Sequence, residues 1–183
     1  MAFLTYEKIA EFARLDEARR EIRKAASAPT TKTLFLSHSS KDKSHIPGVL
    51  GFFAGFGATV YVDELDLRLR RPTSPDTARL LRKEISSCPR FVVLVSPNSH
   101  ESKWIPWELG LADGLKGVAP VALLPIRPQS ESDETWGTQE YLGLYPRVVF
   151  GPVKGHVGDI WNVLDPRDDK CWGLKKWLFE EVS

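Results

Sequence analysis

The chain has 183 residues, with 25 Lys and Arg against 24 Asp and Glu, so its formal net charge is +1 at pH 7. Hydrophobic residues make up 42% and charged residues 27%, which excludes wholesale disorder and allows one domain with a sizeable core. The balanced charge argues against a dedicated nucleic-acid or membrane-surface binder, because such proteins normally carry a basic excess. No apolar run reaches the ~18–20 residues of a membrane span, and the charged N-terminus is unlike a signal peptide.

The spacing of the cysteines and histidines bears on two kinds of site, disulfides and metal centres. The two cysteines, Cys88 and Cys171, lie far apart and form no CxxC pair. We therefore expect no disulfide framework and a reducing cytoplasm as the location. The four histidines form neither an i,i+4 pair nor an HExxH sequence, so no metal site is predicted.

The first segment is helical in pattern. Residues 6–26 carry apolar side chains at helical spacing without Gly or Pro, which predicts a helix of about five turns. A short polar linker, SAPTT, follows it. We expect three parts: a helical extension over 1–30, a main domain over 31–150, and a C-terminal helical segment over 151–183 packed on that domain.

After the linker, apolar runs alternate with helical patterns. The predicted strands are 34–37, 58–64, 90–96, 119–126 and 147–150, and the predicted helices are 46–57, 77–88, 102–117 and the final LKKWLFEEV. Continuous Val, Ile, Leu and Phe strands separated by helices predict an α/β fold, a parallel sheet covered by helices on both faces. Sites in such sheets lie beyond the carboxyl ends of the strands. This directs attention to residues 37–42, 63–72, 96–104 and 125–130.

Four glycines in GVLGFFAGFG (48–57) suggest a phosphate loop at first sight. A phosphate loop follows a strand and opens a helix, whereas these glycines lie inside and at the end of an apolar helix and no Lys accompanies them. They predict close helix–sheet packing and a helix cap instead.

The loop SHSSKD (37–42) follows the first strand of the main domain. Its hydroxyl and imidazole groups, with free backbone N–H groups at a helix start, can bind an anion or a ribose. Ser39 or Ser40 equally suits a helix cap, and the two roles are compatible.

The stretch SHESKWIPWELGLADG carries an aromatic ring beside a carboxylate. Trp104 and Glu108 are four residues apart and so share one helix face, and Pro106 requires that helix to begin close to 102–104. Glu108 is then expected exposed at the rim near a helix N-terminus, where the helix dipole favours the ionised form. Trp can stack on a ring and Glu can accept from ribose hydroxyls, which suits a nucleoside. Spacing alone leaves open a surface glutamate beside two packing tryptophans.

Three stretches in order resemble a Toll/interleukin-1 receptor (TIR) domain: LFLSHSSKD (34–42), YVDELDLRLRRPTSPDTARLLRKEI (61–85) and FVVLVSPNSHESKWIPWELGLAD (91–113). The resemblance covers roughly residues 33–150 and is strongest to bacterial stand-alone TIR proteins, including those of Thoeris-type antiphage defence systems. It implies a flavodoxin-like sheet of five parallel strands with helices on both faces, here with an added N-terminal helix.

The resemblance also implies an activity. In enzymatic TIR domains a WxxxE motif on the third helix supplies the catalytic glutamate, which implies that Glu108 cleaves the nicotinamide–ribose bond of NAD+ and that Trp104 lines the pocket. NAD+ is then a substrate, and no cofactor is implied. The residues implied to border the nucleotide are Ser37, His38, Ser39, Ser96 and Asn98.

Assembly and product follow from the same resemblance. The loop 65–76 corresponds to the family's mobile loop, so Arg68, Arg70 and Arg71 are expected to contact a neighbour in a homo-oligomer. The product is expected to be a cyclic ADP-ribose isomer, which signals to a downstream effector protein in antiphage defence. No nucleic-acid or membrane partner is expected. The alternatives are a non-catalytic TIR module that nucleates assemblies and a different nucleoside-transferring enzyme of flavodoxin-like fold.

Overall fold

A mostly parallel sheet forms the centre of the fold in the computed structural model, which describes residues 1–15, 20, 32–66, 68, 75–130 and 143–182. The described strands are β1 (Leu4–Thr5), β2 (Leu34–Ser37), β3 (Val60–Val62), β4 (Arg90–Val95), β5 (Val121–Arg127), β6 (Arg147–Pro152), β7 (Asp159–Leu164) and β8 (Cys171–Gly173). The described α-helices are α1 (Tyr6–Ala13), α2 (Ile46–Ala54), α3 (Pro75–Ser87), α4 (Trp104–Lys116) and α5 (Leu174–Phe179). Short 3₁₀ helices span Ser40–His45, Asp63–Leu65 and Ser99–Glu101.

The strand order is β3-β2-β4-β5-β6-β7-β8, and β1 pairs with the end of β5. Pairing from β3 through β6 is parallel, which confirms the five predicted strands and their flavodoxin-like arrangement. The chain runs from β2 outward to β3 and then crosses to β4 on the other side. The carboxyl ends of these three strands therefore meet at the point where strand order reverses.

The prediction of a helical tail over 151–183 is wrong for most of its length. β6 continues to Pro152, β7 returns antiparallel beside it, β8 pairs with β7, and only Leu174–Phe179 is helical. Gly155 and Gly158 adopt φ values of 87° and 82° in the connection between β6 and β7, a conformation that glycine accepts without strain. A hairpin is therefore built where a helix was expected.

The N-terminal helix is shorter than the predicted 6–26. α1 ends at Ala13, and of the remaining predicted residues 16–19 and 21–26 lie outside the described part of the chain. Ile9 is buried and Phe12 packs edge-on against Phe52 with ring centroids 5.5 Å apart, but Leu15 is 43% exposed. Within the described residues, Leu15 therefore lies beyond the packed part of this apolar stripe.

Alternate side chains of the strands fill two cores, one on each face of the sheet. Leu34 and Leu36 point into the core that α1, α2 and α5 cover, whereas Phe35 points into the core under α3 and α4. This confirms helices on both faces. Among the described helices, none combines the length and the apolar character that crossing a lipid bilayer would require.

Helix α1 docks on α2 at Gly48. A methyl group at Gly48 would lie 2.1 Å from the carbonyl oxygen of Ile9 and 2.5 Å from its Cγ2. Only a residue without a side chain allows this approach, so Gly48 serves helix–helix packing against α1 rather than the helix–sheet packing that was predicted.

We predict that Gly48→Ala destabilises the protein by about 1–3 kcal/mol, because α1 must move off α2 to relieve the overlap. Urea unfolding followed by circular dichroism measures this. The matched control is Gly110→Ala in α4, where no atom lies within 4 Å of the added methyl and helix propensity favours Ala by up to ~1 kcal/mol. Equal stabilities of the two variants would show that α1 is not docked as described.

Candidate active site

Glu108 is held at the carboxyl edge of the sheet by the last residue of β2. The Ser37 hydroxyl donates a hydrogen bond of 2.5 Å to Glu108 Oε2, and the two residues are only 1% and 3% exposed. Glu108 reaches this position because α4 begins at Trp104, which places Pro106 in the first turn. At this start the Ser102 hydroxyl accepts hydrogen bonds from the N–H groups of Trp104 and Ile105, both at 3.3 Å. The sequence thus located this glutamate correctly along the helix.

The expectation of an exposed, ionised Glu108 is wrong. Burial first, and the negative charge on Asp63 second, raise the pKa of Glu108 to about 8, and the hydrogen bond from Ser37 opposes this only in part. A helix dipole contributes about 0.3–1 kcal/mol at an exposed position, less than desolvation of a buried carboxylate costs. Burial therefore favours the protonated form of this carboxyl group.

Trp104 lies one helical turn before Glu108 and is 37% exposed. Its ring meets Trp107 edge-on with centroids 5.5 Å apart, and the Arg82 guanidinium lies 5.5 Å over the Trp107 ring. Trp104 therefore offers an accessible aromatic surface beside the buried carboxyl group, supported from behind by a second ring.

His38 is buried at the same edge, with its side chain only 3% exposed. Its Nε2 lies 3.5 Å from Glu64 Oε2, and its Nδ1 lies 3.6 Å from Asp63 Oδ1 without a hydrogen-bond partner. Lys43 forms an ion pair with the other oxygen of Glu64. Burial raises the pKa of Asp63, and the positive charge of a protonated His38 opposes the rise. An imidazole and two carboxylates therefore meet beside the carboxyl ends of β2 and β3.

Ser39 serves as a helix cap. Its hydroxyl accepts a hydrogen bond of 3.4 Å from the backbone N–H of Lys41 at the start of the Ser40–His45 turn. The capping role left open by the sequence is therefore confirmed for Ser39.

Ser96 and Asn98 are bound by a residue that the sequence analysis did not single out. Asp42 is fully buried and accepts the Ser96 hydroxyl at 2.6 Å and the Asn98 amide at 2.7 Å. The Ser96 hydroxyl in turn accepts the N–H of Asn98 at 3.0 Å, and the N–H of Ser96 donates to Ser99 Oγ at 2.8 Å. Asp42 therefore fastens the loop after β2 to the loop after β4.

Asp42 and Asp63 are the residues that sequence reasoning missed. Both lie in stretches that follow a strand, 37–42 and 63–72, so their position was available as a signal. The burial of Asp42 and the contact between Asp63 and His38 could not be predicted, because they depend on partners from other parts of the chain.

Of the three loop arginines, Arg68 has partners within its own chain. Its guanidinium contacts both oxygens of Asp66, with Nε 2.8 Å from Oδ1, and lies 2.8 Å from Glu84 Oε1. Asp66 also accepts the Tyr61 hydroxyl at 2.7 Å. The predictions for Arg70 and Arg71 fall outside the described residues.

Within the described ranges, no group of three or more His, Cys, Asp or Glu side chains is arranged to hold a metal ion.

Comparison with known proteins identifies a family. The TIR domain model matches residues 34–146, which include Ser37, Asp63 and Glu108. A protein of Bacillus cereus (strain MSX-D12) named "Probable 3' cyclic ADP-D-ribose synthase ThsB'" is 43% identical over 122 residues, which cover 66% of this chain and 62% of that protein.

A second relative and one solved structure are more distant. "Putative cyclic ADP-D-ribose synthase TIR2" of Cytobacillus dafuensis is 33% identical over 79 residues, 42% of this chain and 21% of that protein. The match therefore spans less than two thirds of the length of each curated relative. A metazoan TIR-STING receptor from C. gigas is 20% identical with a TM-score of 0.39, covering 57% of this chain and 33% of that chain.

Proposed function

The chain belongs to the TIR domain family, and on that premise we propose that it cleaves the nicotinamide–ribose bond of NAD+ with Glu108 at the reacting centre. The observation that carries the proposal is the buried Glu108 carboxyl group, held by Ser37 at the carboxyl edge of parallel strands. Ligands bind at this edge in open α/β sheets. The names of both bacterial relatives refer to cyclic ADP-D-ribose synthases, which supports the same substrate.

The chemistry requires little more than this carboxylate. The nicotinamide ring of NAD+ carries a positive charge and leaves as neutral nicotinamide, so no strong general acid is needed. Positive charge develops on ribose C1′, and a carboxylate beside it stabilises that charge more in a buried site than in water. Since a neighbouring cation favours the ionised form of a carboxyl group, arrival of the substrate lowers the pKa of Glu108 from its empty-site value.

A non-catalytic role accounts for less of the structure. Burying a carboxyl group next to the charge on Asp63 disfavours the ionised form, and an assembly module gains nothing from that cost. In the enzyme hypothesis, the same buried carboxyl group stabilises the positive charge that develops on ribose C1′. The proposed setting is the cytoplasm, where a reducing environment keeps Cys88 and Cys171 as the free thiols seen here.

We predict that Glu108→Gln lowers nicotinamide release from NAD+ by on the order of 100-fold or more, because the amide cannot carry the charge that faces C1′. The variant keeps the size of the side chain and is expected to fold normally, since burial favours the uncharged form of the native group. Glu101→Gln is the matched control: it makes the same change at an exposed glutamate on the loop before α4. Nicotinamide is quantified by chromatography after incubation with NAD+.

Near-normal turnover in Glu108→Gln would show that Glu108 is not the catalytic residue. No turnover in the wild type, even at high protein concentration with a crowding agent, would favour the non-catalytic assembly module.

The proposed product is a cyclic ADP-ribose isomer that signals to an effector protein in bacterial antiphage defence. After nicotinamide leaves, water capture gives linear ADP-ribose, whereas capture by another group of the same molecule gives a cyclic one. The accessible Trp104 ring beside the buried carboxyl group can hold the adenosine end near C1′ and exclude water. Intramolecular capture then benefits from a high effective molarity.

We therefore expect a compound with the mass of NAD+ minus nicotinamide, without added water, among the products. Liquid chromatography with mass spectrometry separates it from linear ADP-ribose. Trp104→Ala is expected to shift the ratio of the two products toward the linear one. Linear ADP-ribose alone, under conditions that support turnover, would exclude the cyclase.

The active species is proposed to be a homo-oligomer in which the loop 65–76 contacts a neighbour. Loops of this length in compact domains commonly carry function. Since Arg68 is paired with Asp66 and Glu84, Arg70 and Arg71 are the arginines to test.

We predict that the specific activity of the wild type rises with protein concentration. Arg70→Glu with Arg71→Glu is expected to lower activity more at low than at high concentration, because charge reversal weakens association. Arg79→Glu with Lys83→Glu, on the exposed side of α3, makes the same change of net charge as a control. A concentration-independent specific activity in the wild type would contradict a required assembly.

A further inference from the structure

The first helix begins at the edge of the sheet that carries the candidate site. β1 runs parallel to the end of β5, so the chain leaves β1 at the carboxyl edge, where Glu108 lies. α1 starts there at Tyr6, and the Thr5 hydroxyl caps it by accepting the N–H of Lys8 at 3.3 Å. An element outside the region that the family model matches therefore reaches this edge.

Helices α1 and α2 lie side by side and run in the same direction. Three contacts follow one another along them: Tyr6 with His45, Ile9 with Gly48, and Phe12 with Phe52. Both partners advance by about one helical turn from each contact to the next, as parallel helices require. The first contact therefore lies at the site edge, and the third lies at the far end of α1.

The partner of Tyr6 belongs to the loop after β2. His45 is the last residue of the 3₁₀ helix Ser40–His45, and its ring stacks on that of Tyr6 with centroids 4.4 Å apart and planes at 26°. Both residues are half-buried. Burial lowers the pKa of His45, against the opposing effect of the charge on Asp42, which favours the neutral ring.

Contacts of unequal strength hold this 3₁₀ helix. In the described residues, its side chains pair with other elements at four positions: Lys41 with Glu101, Asp42 with Ser96 and Asn98, Lys43 with Glu64, and His45 with Tyr6. The two lysine side chains are each 56% exposed, and ion pairs at the surface contribute little. The buried hydrogen bonds of Asp42 and the ring stack of His45 therefore fix the 3₁₀ helix in place.

These two contacts are mechanically linked. Asp42 and His45 are three residues apart, and side chains three apart in a 3₁₀ helix lie above one another on the same side. A shift of His45 therefore moves Asp42, which joins the loop after β2 to Ser96 and Asn98 in the loop after β4. These two loops form the rim of the site.

We propose that Tyr6 is a positioning residue for this rim: by stacking on His45 it holds the 3₁₀ helix so that Asp42 keeps the two loops joined. The proposal rests on the proposed function, in which Ser96 and Asn98 border the nucleotide. Tyr6 acts through His45 and lies outside the site itself. The N-terminal helix thereby sets how well the rim fits NAD+.

The first measurement is amide hydrogen exchange, which needs no substrate. The N–H of Asn98 donates to Ser96 Oγ at 3.0 Å, and the N–H of Ser96 donates to Ser99 Oγ at 2.8 Å. Both amides are expected to exchange slowly while the loop is closed. In Tyr6→Leu we expect NMR to show them exchanging about fivefold faster or more, relative to the amides of strand β4, because the 3₁₀ helix is no longer held.

Two variants serve as controls. Phe12→Leu makes the same change at the far end of α1, where the ring packs against Phe52. It is expected to lower overall stability but to keep the exchange ratio between the loop amides and β4. Tyr6→Phe keeps the ring and its stacking, and is expected to retain the wild-type ratio.

The KM for NAD+ gives a second measurement. In Tyr6→Leu we expect KM to rise about fivefold or more while kcat changes by less than about twofold, because the rim is displaced and Glu108 stays on Ser37. Phe12→Leu and Tyr6→Phe are expected to keep the wild-type KM. A merely stabilising role of Tyr6 would reduce the folded fraction, and so kcat, at unchanged KM. Protein is used at a concentration where specific activity no longer rises, so that assembly does not enter.

The outcomes separate this proposal from the proposed function. An unchanged exchange ratio in Tyr6→Leu, or an equal change in Phe12→Leu, overturns the role of Tyr6. Faster exchange with an unchanged KM also overturns it, because the rim then does not set substrate affinity. A wild type that never cleaves NAD+ overturns the proposed function, and the exchange ratio still decides whether Tyr6 holds the rim. If Tyr6→Leu does not fold, His45→Leu removes the other ring of the same stack, and the same ratio decides.

Discussion

The hydrogen bond between Ser37 and Glu108 joins strand β2 to helix α4, and the rest of the site is arranged around it. A carboxyl group this deeply buried is tolerated only if it has a hydrogen-bond partner or loses its charge, and here it has the partner and burial favours its uncharged form. Ser37 can reach Glu108 only if β2 ends beneath the first turns of α4. The start of α4, fixed by Ser102 and Pro106, is therefore as much a part of the site as the glutamate.

The rim of the site is preorganised by Asp42. Its two carboxylate oxygens bind Ser96 and Asn98, so the loops after β2 and β4 are joined by buried polar contacts before any ligand is present. Such networks make a rim rigid, because breaking one contact leaves the remaining groups unsatisfied away from water. A nucleotide at this rim would have to use the hydrogen-bonding capacity that Asp42 leaves free, such as the carbonyl oxygen of the Asn98 amide.

The sequence predicted what depends on local pattern. Continuous apolar runs located the five parallel strands, and the spacing of Trp104, Pro106 and Glu108 located the start of α4. The hairpin of β7 was missed because DIWNVL is too short an apolar stretch to distinguish strand from helix by period. The burial of Glu108 and Asp42 was missed for a different reason: each partner, Ser37 or Ser96, lies more than fifty residues away in the chain, 71 and 54 residues respectively.

The elements that lie outside the region matched by the family model pack on one face of the sheet. α1, β7 and α5 contribute Ile9, Val163 and Trp177 to the core under α2, whereas α4 packs into the opposite core. Every site residue discussed above lies within 34–146, the region that the family model matches. In the described residues the terminal elements therefore complete the hydrophobic core under α2. These elements thus pack mainly on the face of the sheet opposite the helix that carries Glu108.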